Sequence, residues 1–459
     1  MKKINPQAIS RNAEKELQQR KGSDSWLKEA ISFFRRSGWI WKVQSDYQED
    51  MVWELFENLP LANRSETRWA FFQLVACVLQ NKWKAVRLPR TESKYKKNHY
   101  NNVGPVVIDI MDTLHKHGYI GMKKGYKFED ENNAAQTRVW ATDKLLETCP
   151  VSPKNIVEVP YEVVILKGPK GPNGKRPLKD YRDTRFTRKT RKKLELINEV
   201  NTNADVLFLN YRIYAYVQRQ FVEKWSWDGR LYTSGYRHIQ GLEEEERLQL
   251  SINGDPVVEV DYSGLHPRLL YTWEGCQYDD DPYTAVHRNP YVRAFLKIIL
   301  LCMINNPGKT EAEKAANDWL WQFPRKDKET GEYISPHLSY DKWFLQQKLK
   351  RIGITKAGPL IDEFSEVHEP IAHHLCTPKP TGFKLRNQDS SIAIDVLYNF
   401  AQKGIPCIPV HDSFLIQDQY KDELVKVMNT TYKKHTKGYR CPTKVKSLEA
   451  NILVSNLVS

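Results

Sequence analysis

The sequence is poor in the residues that build covalent or thiolate-bound scaffolds. Its seven cysteines (77, 149, 276, 302, 376, 407 and 441) are scattered over 459 residues with no Cys-x-x-Cys pair. Their spacing argues against a cysteine zinc site and suggests reduced thiols in a cytoplasmic setting. No run of about 20 apolar residues occurs, so neither a membrane span nor a membrane partner is expected. The opening MKKINPQAIS lacks the apolar core of a signal peptide. There is no internal repeat and no long low-complexity tract. The stretch GPKGPNG lacks the Gly-Lys-Ser/Thr ending of a P-loop, so no ATPase is implied.

What remains is a globular, basic chain. Hydrophobic residues make up 40% and aromatics 11%, enough for a substantial core in two to four domains. Seventy Lys and Arg against 56 Asp and Glu leave a net charge of +14, which favours a polyanion such as nucleic acid. The densest cationic stretch is 167–193, KGPKGPNGKRPLKDYRDTRFTRKTRKK, with twelve Lys/Arg and two Asp. Such a run can be a plain solvated face. Its density favours phosphate contacts, with Lys189 and Arg191 as candidates, and a helix is expected from about Thr187. The pattern from Leu194 to Phe221 reads as helical, its aromatics as core.

Three domains are expected: 1–150, 151–224 and 225–459. The first holds helical pieces such as SWLKEAISFFRRSG and a buried helix over 66–82. Val106, Val107, Ile110, Met111 and Leu114 fall at helical spacing behind Pro105, and Gly118 ends that helix. YIGMKKGYKF and TRVWAT then read as a hairpin with a basic tip. A helix followed by such a hairpin resembles a winged helix, a DNA-binding module; the plainer reading is a structural unit that touches nothing.

The chemistry lies after residue 225. In VVEVDYSGLHPRLLY, Asp261 stands at the end of an apolar strand; in GIPCIPVHDSFLI, Asp412 stands at a turn between two short apolar strands after a helix over 390–403. A carboxylate there is costly unless paired. Two carboxylates on adjacent strands suit two Mg²⁺ ions about 3.5–4 Å apart, with Mn²⁺ as a substitute. Arg293 and Lys297 are four residues apart in the apolar helix RAFLKIILLCMI, so they share one face and can reach a triphosphate. Alternatively they are surface cations whose stems cover apolar area.

In order and content these segments resemble the superfamily of family A (DNA polymerase I-like) DNA polymerases and phage-type single-subunit RNA polymerases. VEVDYSGLHPRLLY resembles motif A, RAFLK has the Arg-x-x-x-Lys spacing of motif B, and VHDSF resembles motif C. DGRLYTS is similar to the Gly-Arg segment before motif A, and RNQDSSIAIDVL to the helix before motif C. The resemblance covers about 225–435 and places the two carboxylates 151 residues apart. It implies an α+β right-hand polymerase with palm and fingers in 225–459, a basic thumb-like region in 151–224 and a winged-helix-like N-terminal α/β domain. It implies template-directed nucleotidyl transfer on a DNA primer–template with nucleoside triphosphates, RNA being the alternative template.

The implied roles follow residue by residue. Asp261 and Asp412 hold the metals, with the Tyr262 carbonyl completing a shell. One metal lowers the pKa of the primer 3′-hydroxyl and the other stabilises the leaving pyrophosphate. Arg293 and Lys297 hold the triphosphate, and His266 lies against the sugar. Arg230, Gln388 and His411 contact primer or template.

The departures also matter. His266 replaces the glutamate of the DNA-polymerase sugar gate, and Asn305 and Asn306 replace an aromatic–glycine pair. The Ser-Phe of VHDSF is closer to the RNA polymerases, whereas the short interval from Arg230 to Asp261 is closer to the DNA polymerases. No segment before 225 resembles a 3′→5′ exonuclease, so no proofreading is expected. The favoured reading is a compact DNA polymerase, of an architecture that suggests replication of a mobile element. The rivals are an RNA polymerase or primase, and a winged-helix replication initiator whose polymerase half has decayed. Other constellations carry less. His368, His373 and His374 are not an HExxH motif but leave a zinc site open, EEEE at 243–246 reads as an exposed helix start, and Asp281 in YDDDPY can approach the site.

Overall fold

In a computed structural model the described residues are 21, 23, 26–27, 30–32, 39–43, 49–81, 84–95, 100, 103–125, 136–149, 151, 156–172, 174–209, 211–233, 238–321, 325–326, 333–334, 340–378 and 381–448. Helices and sheets are mixed throughout, and the chain divides into two compact units: Met1–Val163 with Asp180–Arg182, and Val164–Lys179 with Asp183–Ser459. Among the described residues no helix is long and apolar enough to cross a membrane.

The first unit is organised by helix Ser65–Gln80, which buries residues on every side, among them Phe71, Leu74, Val75 and Val78. Helix Val107–Lys116 buries Val107, Ile110, Met111 and Leu114, the stripe its spacing predicts, and Gly118 follows at φ 78°. Strands Ile120–Lys123 and Thr137–Ala141 then pair antiparallel. Gly121 faces Trp140 across the pair, and a Cβ there would meet the indole at 2.2 Å. Of the lysines of the expected basic tip, Lys123 and Lys124 are described, at the end of the first strand, and Lys127 lies in 126–135, outside the described residues. In SWLKEAISFFRRSG, Trp26 and Leu27 are helical and Ala30 is buried, but Ile31–Ser32 is a strand parallel to Val86–Leu88; the rest of that stretch is outside the described residues.

The second unit carries a seven-stranded sheet. Its order is Ile408–Val410, Ser413–Gln417, Asp255–Tyr262, Leu250–Ile252, Val206–Phe208 and Tyr211–Arg212, with Thr443–Lys446 also paired to Asp255–Tyr262. The central strand is apolar because both its faces are covered: Val257, Val258 and Val260 are buried. Each such side chain contributes about 1.5–3 kcal/mol, which anchors the strand that ends in Asp261. A second sheet joins Lys224–Thr233, Val217–Val222 and Val164–Lys167.

Several boundaries differ from expectation. The cationic helix runs Arg185–Asn203, starting two residues early because Thr184 and Thr187 cap each other. It stops at Asn203, and the helical reading up to Phe221 is corrected: Val206–Phe208, Tyr211–Arg212 and Val217–Val222 are strands. Aromatic and β-branched residues suit the pleated surface they join. The segment 164–222 thus supplies strands to both of these sheets. The helix before Asp412 is Thr381–Ala401, nine residues longer at its start than the expected 390–403. Its polar opening, FKLRNQDSS, stays helical because Arg386, Asn387 and Ser390 find partners on or near the Lys224–Thr233 sheet.

Candidate active site

Asp261 lies one residue from the end of its strand and pairs in register with Ser413. Asp412 is the neighbour of Ser413, in the two-residue turn His411–Asp412 that links Ile408–Val410 to Ser413–Gln417. The antiparallel register therefore brings the two carboxylates together at one end of the sheet. His411 turns the chain at φ 59°, a left-handed conformation that favours glycine. A non-glycine residue held there places Asp412 at the tip.

Burial first, then the charge of Asp412, push the Asp261 carboxyl upward, and Glu259 adds to this. Asp412 is raised by burial and then by Asp389. The Oδ1 of Asp261 is buried with no hydrogen-bond partner. Two crowded carboxylates, one with an orphaned oxygen, are a hard-oxygen donor set that fits Mg²⁺. Lys446, which pairs in register with Glu259 from strand Thr443–Lys446, opposes the rise of Asp261. Glu259 itself is 2% exposed and held by Arg247 at 2.9 and 3.1 Å and by the Ser413 hydroxyl at 2.7 Å.

Helix Pro290–Asn305 supplies the cations, and the loop 278–281 supplies a carboxylate that holds one of them. Arg293 and Lys297 both lie over the ring of Tyr283, at 5.7 and 5.8 Å, so they do share a face. Lys297 is depressed by burial and by Arg293, and the charges of Asp261 and Asp281 oppose this. Arg293 grips Asp281 through Nε at 3.2 Å and Nη2 at 2.5 Å. Burial raises the Asp281 carboxyl, but Arg293 and the N–H groups of Thr284 and Tyr283 outweigh it and hold the pKa at about 2. The loop is fixed by Arg268, 4% exposed, which donates to the carbonyls of Ser263, Tyr278, Asp279 and Asp280. Gly264 turns into helix Leu265–Trp273 at φ 57°, where a Cβ would meet Arg268 at 2.8 Å and Pro282 at 3.0 Å.

The other candidates divide. Nε2 of His266 is 3.6 Å from Asp389, and its proximity acts to lower the Asp412 carboxyl, so it belongs to the cluster. The Arg230 guanidinium acts on both Asp412 and His411, and with burial it depresses the His411 imidazole. Arg230 is aimed by the Asp228–Gly229 bulge: Gly229 has φ 94°, and a Cβ there would lie 2.8 Å from Phe221. The Tyr262 side chain points away and donates to the Met428 carbonyl at 2.7 Å, which leaves only its main chain for a ligand. Gln388 is engaged by the Trp273 indole at 2.7 Å and the His435 carbonyl at 3.4 Å. Lys189 is exposed on helix Arg185–Asn203, whereas Arg191 folds back on Asp183 at 2.9 Å. His368 is no ligand: it is fully buried, with Nε2 2.7 Å from the Pro282 carbonyl and Nδ1 2.9 Å from the Tyr271 hydroxyl. Asn305 accepts from Arg386 at 2.8 Å where the resemblance leads one to expect an aromatic.

No protein-family model matches the chain, and no curated protein does. A solved structure that does match is the POL domain of Pol1 from M. smegmatis in complex with DNA primer-template and dNTP. It has 11% identity and a TM-score of 0.27, over 57% of this chain and 51% of that one. The chain thus spans about half the length of that structure.

Sequence reading missed Asp389, Glu259, Lys446 and Arg268. Asp389 is 4% exposed and acts on Asp412 from helix Thr381–Ala401. Its signal was present in NQDSS, a charge on the buried side of a helix. Lys446 carried none, because its place depends on a strand pairing more than 180 residues distant in sequence.

Proposed function

We propose that the second unit is a template-directed nucleotidyltransferase, and specifically a compact family A-like DNA polymerase without proofreading. The observation that carries this is the meeting of Asp261 and Asp412 at the sheet end, beside the Arg293/Lys297 face. Asp261 and Asp412, with the Tyr262 carbonyl, are the groups that would hold two Mg²⁺ ions. When bound, these ions supply charge neutralisation for an attacking hydroxyl and a leaving pyrophosphate.

The chain's own residues do the positioning. Lys297, near Asp261, and Arg293, beside it, bind triphosphate oxygens through charge-assisted hydrogen bonds. Asp281 holds the Arg293 guanidinium extended before substrate arrives. His266 borders the sugar, held near Asp389. Arg230 and His411 face the primer terminus, and Gln388 stiffens that wall through Trp273. The exposed cations of helix Arg185–Asn203, Lys189 among them, follow the phosphate backbone. In the first unit, the helix and hairpin of 107–141 form a winged-helix-like DNA-binding module, which suits self-contained replication of a mobile element.

The test is primer extension in Mg²⁺ on one primed DNA template, with dNTPs and rNTPs offered separately and Asp412→Asn as control. Growth on dNTPs alone supports the DNA polymerase. Growth on rNTPs moves the protein to the RNA polymerase or primase side, which the missing gate glutamate at His266 and the Ser413–Phe414 pair after Asp412 favour. If wild type and variant are equally inert on DNA and RNA templates, the polymerase reading falls.

A further inference from the structure

Away from the paired aspartates, three ligating side chains from two distant segments converge. Glu274 caps the end of helix Leu265–Trp273, and His373 and His374 form the turn after Glu369–Ala372. Nε2 of His374 is 2.7 Å from Oε1 of Glu274, and Nε2 of His373 is 3.4 Å from the same oxygen. The two rings lie 4.0 Å apart, centroid to centroid. Successive side chains on a helix point about 100° apart. These two converge because the helix has already ended. Among the described residues this is the one group of three His, Cys, Asp or Glu side chains whose ligand atoms all lie within 4.8 Å of one another.

We propose that Glu274, His373 and His374 form a binding site for a borderline divalent cation of the Zn²⁺ class, with its remaining coordination open to water. Two imidazole nitrogens and one carboxylate are a Zn²⁺ donor set and a poor one for Mg²⁺, which prefers oxygen throughout. A carboxylate oxygen shared between two imidazoles makes a good hydrogen bond to one of them and a long contact to the other. A cation at their centre satisfies all three ligand atoms at once.

The surroundings hold one of the ligands in place. The His374 ring stands edge-on to Trp273 at 5.3 Å, and the Trp273 indole donates to Gln388. The metal therefore ties the end of helix Leu265–Trp273 to the turn that leads toward Thr381–Ala401. These are the two helices that carry His266 and Asp389. The role is a brace rather than catalysis, and it does not depend on the polymerase reading.

The experiment uses the full chain, stripped with a chelator and then titrated with Zn²⁺ by calorimetry, with bound metal counted by mass spectrometry. One equivalent should bind at micromolar or tighter affinity and raise the unfolding temperature. His373→Asn with His374→Asn should lose that equivalent and the thermal shift. Glu274→Gln should weaken binding by more than about tenfold, since loss of outer-shell partners alone costs that much elsewhere. Asp412→Asn should keep the site, which separates it from the paired aspartates. Co²⁺ should give a visible ligand-field band in wild type and none in the double variant. The proposal is overturned if the stripped wild type takes up no Zn²⁺, if the double variant takes up as much, or if equimolar Mg²⁺ displaces the ion.

Discussion

Replacing Asp261 by Asn should remove activity and, in chelator, make the protein more stable. The two effects share one cause. In the folded protein, burial and the Asp412 charge raise the Asp261 carboxyl above its usual 3.8, so its ionised form is held at a cost. Each unit of upward displacement corresponds to about 1.4 kcal/mol. Part of that is screened by solvent at the sheet end, and part is shared with Asp412 and must be counted once. A net gain of about 1–2 kcal/mol from the neutral amide is the reasonable expectation. Asn has nearly the same shape, and the Oδ1 it replaces has no partner to lose. Domains of this order shift by about 2–4 °C per kcal/mol, so thermal unfolding in EDTA should resolve the gain.

The sign with pH follows from linkage. A carboxyl raised on folding binds protons more tightly in the folded state. Its contribution to stability is therefore intact below the unfolded pKa and is lost as pH rises toward the folded one. Wild type in EDTA should lose stability over that window, and Asp261→Asn should lose less. Mg²⁺ should restore wild type at neutral pH and do little for the variant. If Asp261→Asn is less stable than wild type in EDTA, or still extends primers, the idea of a strained, metal-seeking pair is refuted.

Other perturbations separate the remaining parts. Arg293→Ala and Lys297→Ala should each raise KM for the nucleoside triphosphate by about 10–100-fold, the worth of one charge-assisted bond, measured in steady-state extension; an unchanged KM would place both cations outside the triphosphate site. His411→Gly should relieve about 1 kcal/mol of left-handed backbone cost yet lower the extension rate. A variant that is more stable and equally active would deny His411 a role. Arg268→Met should destabilise by about 3 kcal/mol, because it strips donors from four carbonyls, and should loosen the loop that presents Asp281 to Arg293. Urea unfolding at fixed pH checks the magnitude.

What the sequence made legible was local. The stripe Val107, Ile110, Met111 and Leu114 is a helix face, and the i, i+4 spacing of Arg293 and Lys297 gives them one face. Apolar runs around Asp261 and Asp412 marked strand ends where a charge needs a partner. Periodicity failed where two templates overlap: 204–221 is aromatic and apolar enough to suit either helix or strand, and pairing with the sheets decided for strand. The opening of Thr381–Ala401 was missed for the opposite reason. Its polar residues resemble a loop until their tertiary partners are known, and those lie about 160 residues away in sequence.

The groups that tune the candidate site were the least legible. Lys446, Glu259 and Arg247 form a chain of charge beside Asp261, and each enters from a different element. Their effect opposes itself: Glu259 drives the Asp261 carboxyl up and Lys446 draws it down. A buried ion pair is weak evidence of stability, since desolvation consumes most of what attraction returns. Here Arg247 pairs with Glu259 at close range, while Asp261 faces the charge of Asp412 with an oxygen that has no hydrogen-bond partner. An apolar strand that ends in a charge, next to a histidine forced through a left-handed turn, is an expensive arrangement for a fold alone. A cation shared by the two carboxylates would offset the charge part of that expense, and the apolar strand ends in the sequence and the orphaned Asp261 oxygen in the structure point to the same pair.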